Sequence, residues 1–204
     1  RSMNWNLNVQ KQLGRDYMVE LAYVGTQGRH LTSKTDLNQA PNIVGVTNQN
    51  VNRPYIKQSP ALTTVSTAQS LGELDYHALL FKGVKRFTNG FSALVSYTFG
   101  KAIDLVSNND GPIFTNIFDP NYDRGPADYD VTHTLVASFL YELPCAKHHI
   151  LGGWQVNGIG YWRSGLALTV SQSGTMASTG ITNNRPNRIG NGMNADPTID
   201  HWFD

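Results

Sequence analysis

Charge is scarce in this 204-residue sequence: Asp, Glu, Lys and Arg together make 15% of it, against about 25% in ordinary soluble domains. The 16 basic and 15 acidic residues nearly cancel, to +1, which removes the electrostatic footprint of a nucleic-acid partner. Cysteine occurs once, as Cys145; it allows no internal disulfide and fits no metal-ligand spacing. Apolar runs of about 18 residues are missing, so no transmembrane helix is encoded. The catalytic vocabulary is missing too: no G-x-S-x-G, no HExxH, no phosphate-binding Walker sequence. Ser, His and Asp are present, but no spacing favours any set as nucleophile, base and orienting acid. Residues 190–195, GNGMNA, match the letters of a dinucleotide fingerprint, yet no strand precedes them and Pro197 spoils the helix that should follow. His148 and His149, beside Lys147, fall in a short turn without a spaced partner, which reads as exposed turn and not as a metal site. The expectation is a non-enzymatic protein with no cofactor and no metal.

What the sequence does contain is alternation. Residues 76–102, YHALLFKGVKRFTNGFSALVSYTFGKA, read as two strands joined at Thr88-Asn89-Gly90, because Asn-Gly supplies the positive φ angles of a tight hairpin. After the turn Phe91, Ala93, Val95, Tyr97 and Phe99 share one face, and Ser92, Leu94, Ser96, Thr98 and Gly100 the other. About ten alternating residues with aromatics at both ends exceed the five or six of a soluble strand and suit a membrane-spanning barrel strand. Residues 3–13 repeat the pattern. Trp5, Leu7, Val9 and Leu13 fall on one side, and Asn4, Asn6, Asn8, Gln10 and Gln12 on the other. A row of amides is unusual for a solvent face, where charges are commoner, and suits a polar lumen. Lys11 interrupts the apolar row near the turn, where its stem can snorkel to the interface.

The next strand begins at Tyr17 and keeps its apolar row through Tyr23. Further strands are expected over residues 129–143 and 154–172, with another start near 199–203. Between them lie long polar stretches at about 25–73, 103–127 and 173–198. Connections therefore alternate, short after Leu13, Phe87 and Leu143 and long after Val24 and Lys101. Short turns on one side and long loops on the other is the arrangement of an outer-membrane barrel. The fold class expected is all-β: an antiparallel transmembrane β-barrel segment of about six strands. A mean hydropathy of −0.34 agrees with strands that face water on one side. The opening RSMNWNLNVQ shows no basic-then-apolar export signal, so an internal piece of a longer exported protein is expected.

The stretch NWNLNVQKQLGRDYMVELAYVGTQGRHL (residues 4–31) resembles the barrel region of TonB-dependent outer-membrane receptors of the Oar-like kind. So do residues 76–101, DRGPADYDVTHTLVASFLYELP (123–144), LGGWQVNGIGYWRSGLALTVS (151–171), NRPNRIGN (184–191) and TIDHWFD (198–204). The resemblance keeps the order of segments over most of the chain. It implies a piece of a barrel of about 22 strands, plugged by an N-terminal domain, with residues 1–204 lacking that plug. It further implies residence in the cell outer membrane among its lipids, and energised uptake of a ligand through contact between the plug and a TonB-type energy-transducing complex.

Ligand contact is assigned to the loop tyrosines Tyr55 and Tyr122 and to the lumen amides Asn4, Asn6, Asn8, Gln10 and Gln12. Strand aromatics such as Trp5, Tyr97, Phe99, Phe139, Tyr141, Trp154 and Trp162 are read as lipid-facing girdles, with a stacking platform as the alternative. The carboxylates and amides bracketing the second loop (Asp104, Asn108, Asn109, Asp110, Asp119, Asp123, Asp128 and Asp130) lack the regular calcium-loop spacing and read as turn and strand-end caps. Two other functions stay open. One is a passive outer-membrane channel or adhesion protein. The other is a secreted soluble carbohydrate-binding β-domain, which predicts aromatics displayed in loops.

Overall fold

The computed structural model describes residues 1–41, 43, 49–107, 114–144, 153–170, 172–173, 183–184, 189–190, 192, 194, 196 and 198–201. Six long antiparallel strands form one sheet. They are β1 (Ser2–Leu13), β2 (Tyr17–Asp36), β3 (Ser66–Thr88), β4 (Phe91–Asp104), β6 (His133–Glu142) and β7 (Gln155–Arg163). A two-residue strand, β5 (Gly125–Pro126), pairs with the end of β4. A separate short ladder joins β8 (Gln172–Ser173) to β9 (Asn183–Asn184). No α-helix occurs among the described residues, only two 3-10 turns, Gln49–Asn52 and Pro120–Asp123. Each long strand pairs with its neighbour in sequence, and the sheet is not closed: β1 and β7 are its edges.

Short connections all lie at one end. β1 turns into β2 at Gly14, with φ +65°, and β3 into β4 at Asn89 and Gly90, with φ of 53° and 74°. Two consecutive positive φ angles are what a twist-matched two-residue hairpin needs. The ladder between β6 and β7 continues one step further, where Leu143 N–H donates to the Trp154 carbonyl at 2.9 Å. The long connections, 37–65 and 105–132, lie at the opposite end, as the alternation of loop lengths predicts.

Three boundaries differ from the sequence reading. The first loop, expected over about 25–73, is shorter, because β2 runs to Asp36 and β3 starts at Ser66, with Asp36 opposite Ser66. The polar composition there predicts a loop, but backbone pairing holds this ladder together without an apolar row. A bulge between Gly28 and Ser33 places His30 at φ 56° and marks the bend into this extension. The strand expected over 129–143 starts at His133, since residues 127–130 form a turn closed by Asp130 N–H on the Ala127 carbonyl at 2.9 Å. The strand expected over 154–172 stops at Arg163: its last bond joins Ser164 N–H to the carbonyl of His133, the first residue of β6. Leu166, Leu168 and Val170 continue the alternation without a partner strand among the described residues. Cys145, His148, His149, residues 108–113 and most of the third loop lie outside the described residues.

Burial is concentrated where the long loops meet the sheet. Ala40, Ala102, Leu105, Phe114 and Ala127 are buried there, together with Asn38, Gln39, Arg53 and Asp123. Asp36 and Arg53 form an ion pair at 3.3 Å with both side chains 7% exposed. Asn38 donates to the Leu62 carbonyl at 2.9 Å and accepts from Tyr55 N–H at 3.0 Å. Gln39 then crosses to the second loop, donating to the Thr115 carbonyl and accepting from Ile117 N–H, both at 2.7 Å. The two long loops are one cap.

Candidate functional site

Register carries the period-two pattern across the sheet. Val9 stands opposite Leu21, Leu21 opposite Phe81, Phe81 opposite Tyr97, Tyr97 opposite Leu135 and Leu135 opposite Trp162. One face is therefore apolar along its whole width, and its side chains stay open: Leu7 is 67% and Val9 61% exposed. A soluble protein rarely leaves so large a contiguous apolar face uncovered.

Both margins of that face carry aromatic rings. At the turn end, Phe91 meets Tyr141 edge-on at 6.4 Å, and the Lys85 ammonium lies over the Tyr17 and Phe91 rings at 5.8 and 5.4 Å. At the loop end the same motif occurs twice. Tyr23 Oη bonds His77 Nδ1 and Tyr97 Oη bonds His133 Nδ1, each at 2.7 Å. Trp5 flanks the first pair, and Phe99 and Trp162 the second. Trp5 lies across Gly25 so closely that a Cβ there would sit 2.3 Å from its ring. Along β2 the stretch from Tyr17 to Gly25, the position opposite Trp5 and His77, is about nine residues, the length a tilted strand needs to cross a bilayer.

The opposite face is polar on β1 and mixed elsewhere. Asn8 Nδ2 donates to Glu20 Oε1 at 2.6 Å, and Lys82 stands 3.9 Å from the same carboxylate. Toward the turn end Met18, Val84 and Leu94 share a rung, and Ile159 on β7 is 83% exposed. Toward the loop end the face hollows into a cleft of about 510 Å³ lined by Thr26, Tyr76, Thr98 and Thr134, with Tyr129 and Asp130 from the second loop. Small residues make the hollow: Gly100 lies under Tyr76, and a Cβ there would sit 3.1 Å from its hydroxyl.

The rim is held firmly. Ala127 N–H donates to the Ala102 carbonyl at 3.0 Å. Asp130 accepts from Ala102 N–H at 2.7 Å, pairs with the Lys101 ammonium, and takes the Thr132 hydroxyl at 3.4 Å. Next to it Asp104 is buried, and its Oδ2 has no hydrogen-bond partner. Burial raises the Asp104 pKa and the Asp128 charge adds to the rise, while a hydrogen bond from Ser107 partly offsets it. Burial and the Asp104 charge push Tyr129 upward from 10.0, keeping its hydroxyl protonated.

The proposed contact residues divide. Asn4 reaches the cleft wall, accepting from the Thr26 hydroxyl at 2.8 Å. Asn6, Asn8, Gln10 and Gln12 continue down the same face, with Gln12 capping the Gly14 carbonyl at 3.0 Å. Tyr55 and Tyr122 are exposed on the loop cap and do not line the cleft. Tyr76, Thr98, Thr134 and Tyr129 were not singled out from the sequence, since only the strand register brings them together.

Sorted loop lengths, an uncovered apolar face with two ring margins and a wetter opposite face define a segment of a transmembrane β-barrel. The chain belongs to the outer membrane beta barrel domain family, whose model matches residues 1–204. Its place is the outer membrane. No curated protein and no solved structure matches it.

Proposed function

We propose that the chain forms part of the barrel of an energised, TonB-dependent outer-membrane receptor of the Oar-like kind, with no catalytic role. The observation that carries this reading is the apolar rung Met18, Val84 and Leu94 on the inner face, together with the open Ile159. A water-filled pore has no use for it, whereas a plug domain packed into the lumen would bury it. The hydrogen-bonded loop cap at the end of the sheet supports a receptor as well. The unpaired edges of β1 and β7 would be costly in lipid, and the further strands of a large barrel would cover them. Ligand would enter under the cap, and plug movement driven by a TonB-type complex would release it inward.

Conductance of the intact full-length protein in planar bilayers tests this. A plugged receptor shows no steady current until its plug is removed or unfolded. Steady open steps from the intact protein would identify a passive channel instead.

A further inference from the structure

The cleft beneath the cap has a chemistry that narrows its ligand. Its volume of about 510 Å³ falls within the range of small-molecule sites. Thr26, Tyr76, Thr98, Tyr129 and Thr134 bring hydroxyls to the lining, and Leu74, Ala102 and Val131 give it an apolar part. The Thr26 hydroxyl is engaged with Asn4 and Tyr129 interacts with the Asp104 carboxylate; the hydroxyls of Tyr76, Thr98 and Thr134 make no hydrogen bond among the described residues. No cation is part of the lining, and its single carboxylate, Asp130, is already held by Lys101, Ala102 N–H and Thr132. An anionic ligand would find no counter-charge there. Arg163, opposite Thr134 in register, stands beside the cleft and not in its lining. Tyr129 is half-exposed at the mouth, and its turn is fixed by Asp128 N–H on the Ser107 hydroxyl at 2.9 Å. Unengaged hydroxyls around a preset ring, without free charge, suit a neutral polyhydroxylated ligand.

We propose that this inner-face cleft binds a neutral oligosaccharide, with Tyr129 against the C–H face of a sugar ring and Tyr76, Thr98 and Thr134 exchanging hydrogen bonds with its hydroxyls. The proposal rests on the receptor reading, because it takes the cleft as the entry to the uptake path.

The test uses the full-length protein in detergent, titrated calorimetrically with maltotriose, cellotriose and triacetylchitotriose, and with ferric citrate as the anionic probe. Saturable binding of at least one trisaccharide is expected, with ferric citrate inert. Tyr129→Ala should weaken that binding roughly tenfold and Tyr129→Trp restore it, while Tyr76→Phe should cost roughly three- to tenfold. Heat-dependent gel mobility checks that each variant keeps its barrel. Failure of all three sugars up to about 1 mM, the weak end of specific recognition, would overturn the proposal. So would binding indifferent to Tyr129→Ala, preference for ferric citrate, or loss of sugar binding in Arg163→Gln, which would place the contact outside this cleft. Uptake in cells treated with a protonophore separates the two readings. Sugar binding with protonophore-insensitive uptake refutes energised transport alone. Protonophore-sensitive uptake of another solute, without sugar binding, refutes this site alone.

Discussion

Replacing Arg53 by Met tests whether the loop cap is a built structure. Arg53 donates to the Asp36 carboxylate at 3.3 Å, the Asn38 carbonyl at 2.9 Å and Asn50 Oδ1 at 3.0 Å. Asp36 in turn accepts from Asn38 N–H at 2.9 Å and Val65 N–H at 2.8 Å. Met preserves the stem's packing but leaves the Asp36 charge buried beside an apolar neighbour. Removing one partner of a buried pair costs about 3–5 kcal/mol. At about 1.4 kcal/mol per factor of ten, local opening should become roughly 100- to 4,000-fold more frequent. Amide hydrogen exchange across residues 37–65 reads this directly, and β1 and β4 should exchange as before. Unchanged protection in the loop would refute the reasoning. Accelerated exchange of the whole sheet would also refute it, by showing that the cap and the barrel are not separate units.

Asp104 has a sign that pH can test. Its folded-state pKa lies above 3.8, so its contribution to stability is complete below that value and is lost as pH rises through the folded pKa. The turn at 127–130 should therefore be better protected near pH 4 than near pH 7, and Asp104→Asn should remove most of that difference; a less protected turn in Asp104→Asn at pH 7 would contradict it. Gly25→Val should drive the Trp5 ring off its seat, shifting Trp fluorescence and lowering stability by about 1–3 kcal/mol through overpacking; an unshifted spectrum would show that the ring is not seated there. Gln39→Ala removes the two bonds of this side chain to the second loop and leaves a carbonyl and an N–H of that loop without them. Each such group costs about 1–3 kcal/mol, so protease should cleave the second loop faster, and unaltered cleavage would refute the bridge.

Legibility in the sequence follows the membrane. Where a strand crosses lipid, one face must be apolar, so the rows Trp5–Leu13, Tyr17–Tyr23 and Phe91–Phe99 were readable at once, and so was the Asn89-Gly90 hairpin. Beyond the ring margins that requirement lapses. The extension of β2 to Asp36 carries Thr, Gln, Arg and His and reads as loop, although beyond the bulge its ladder resumes from Ser33 to Asp36. Alternation also misleads once: Leu166, Leu168 and Val170 keep the period, but a strand needs a neighbour, and β6 does not reach back beyond His133. The Asp36–Arg53 pair and the Gln39 bridge join residues far apart in sequence, with no local signature. The cleft assembles from β2, β3, β4, β6 and the turn before β6, through register alone. Asn4 belonged to a recognisable row and reaches the cleft wall; Tyr55 and Tyr122 were chosen for being loop aromatics, which gave no information on where the hollow lies.

The two faces of the sheet should meet different solvents. Single cysteines placed at Leu7, Asn8, Val9, Gln10, Leu21 and Ala22, in full-length protein carrying Cys145→Ser and reconstituted in bilayers, can be spin-labelled and exposed to lipid-soluble oxygen and a water-soluble nickel chelate. Strict alternation is expected: Leu7, Val9 and Leu21 relaxed by oxygen, Asn8, Gln10 and Ala22 shielded from it as lumen positions. Equal accessibility to the aqueous reagent at neighbouring positions along β1 would contradict it.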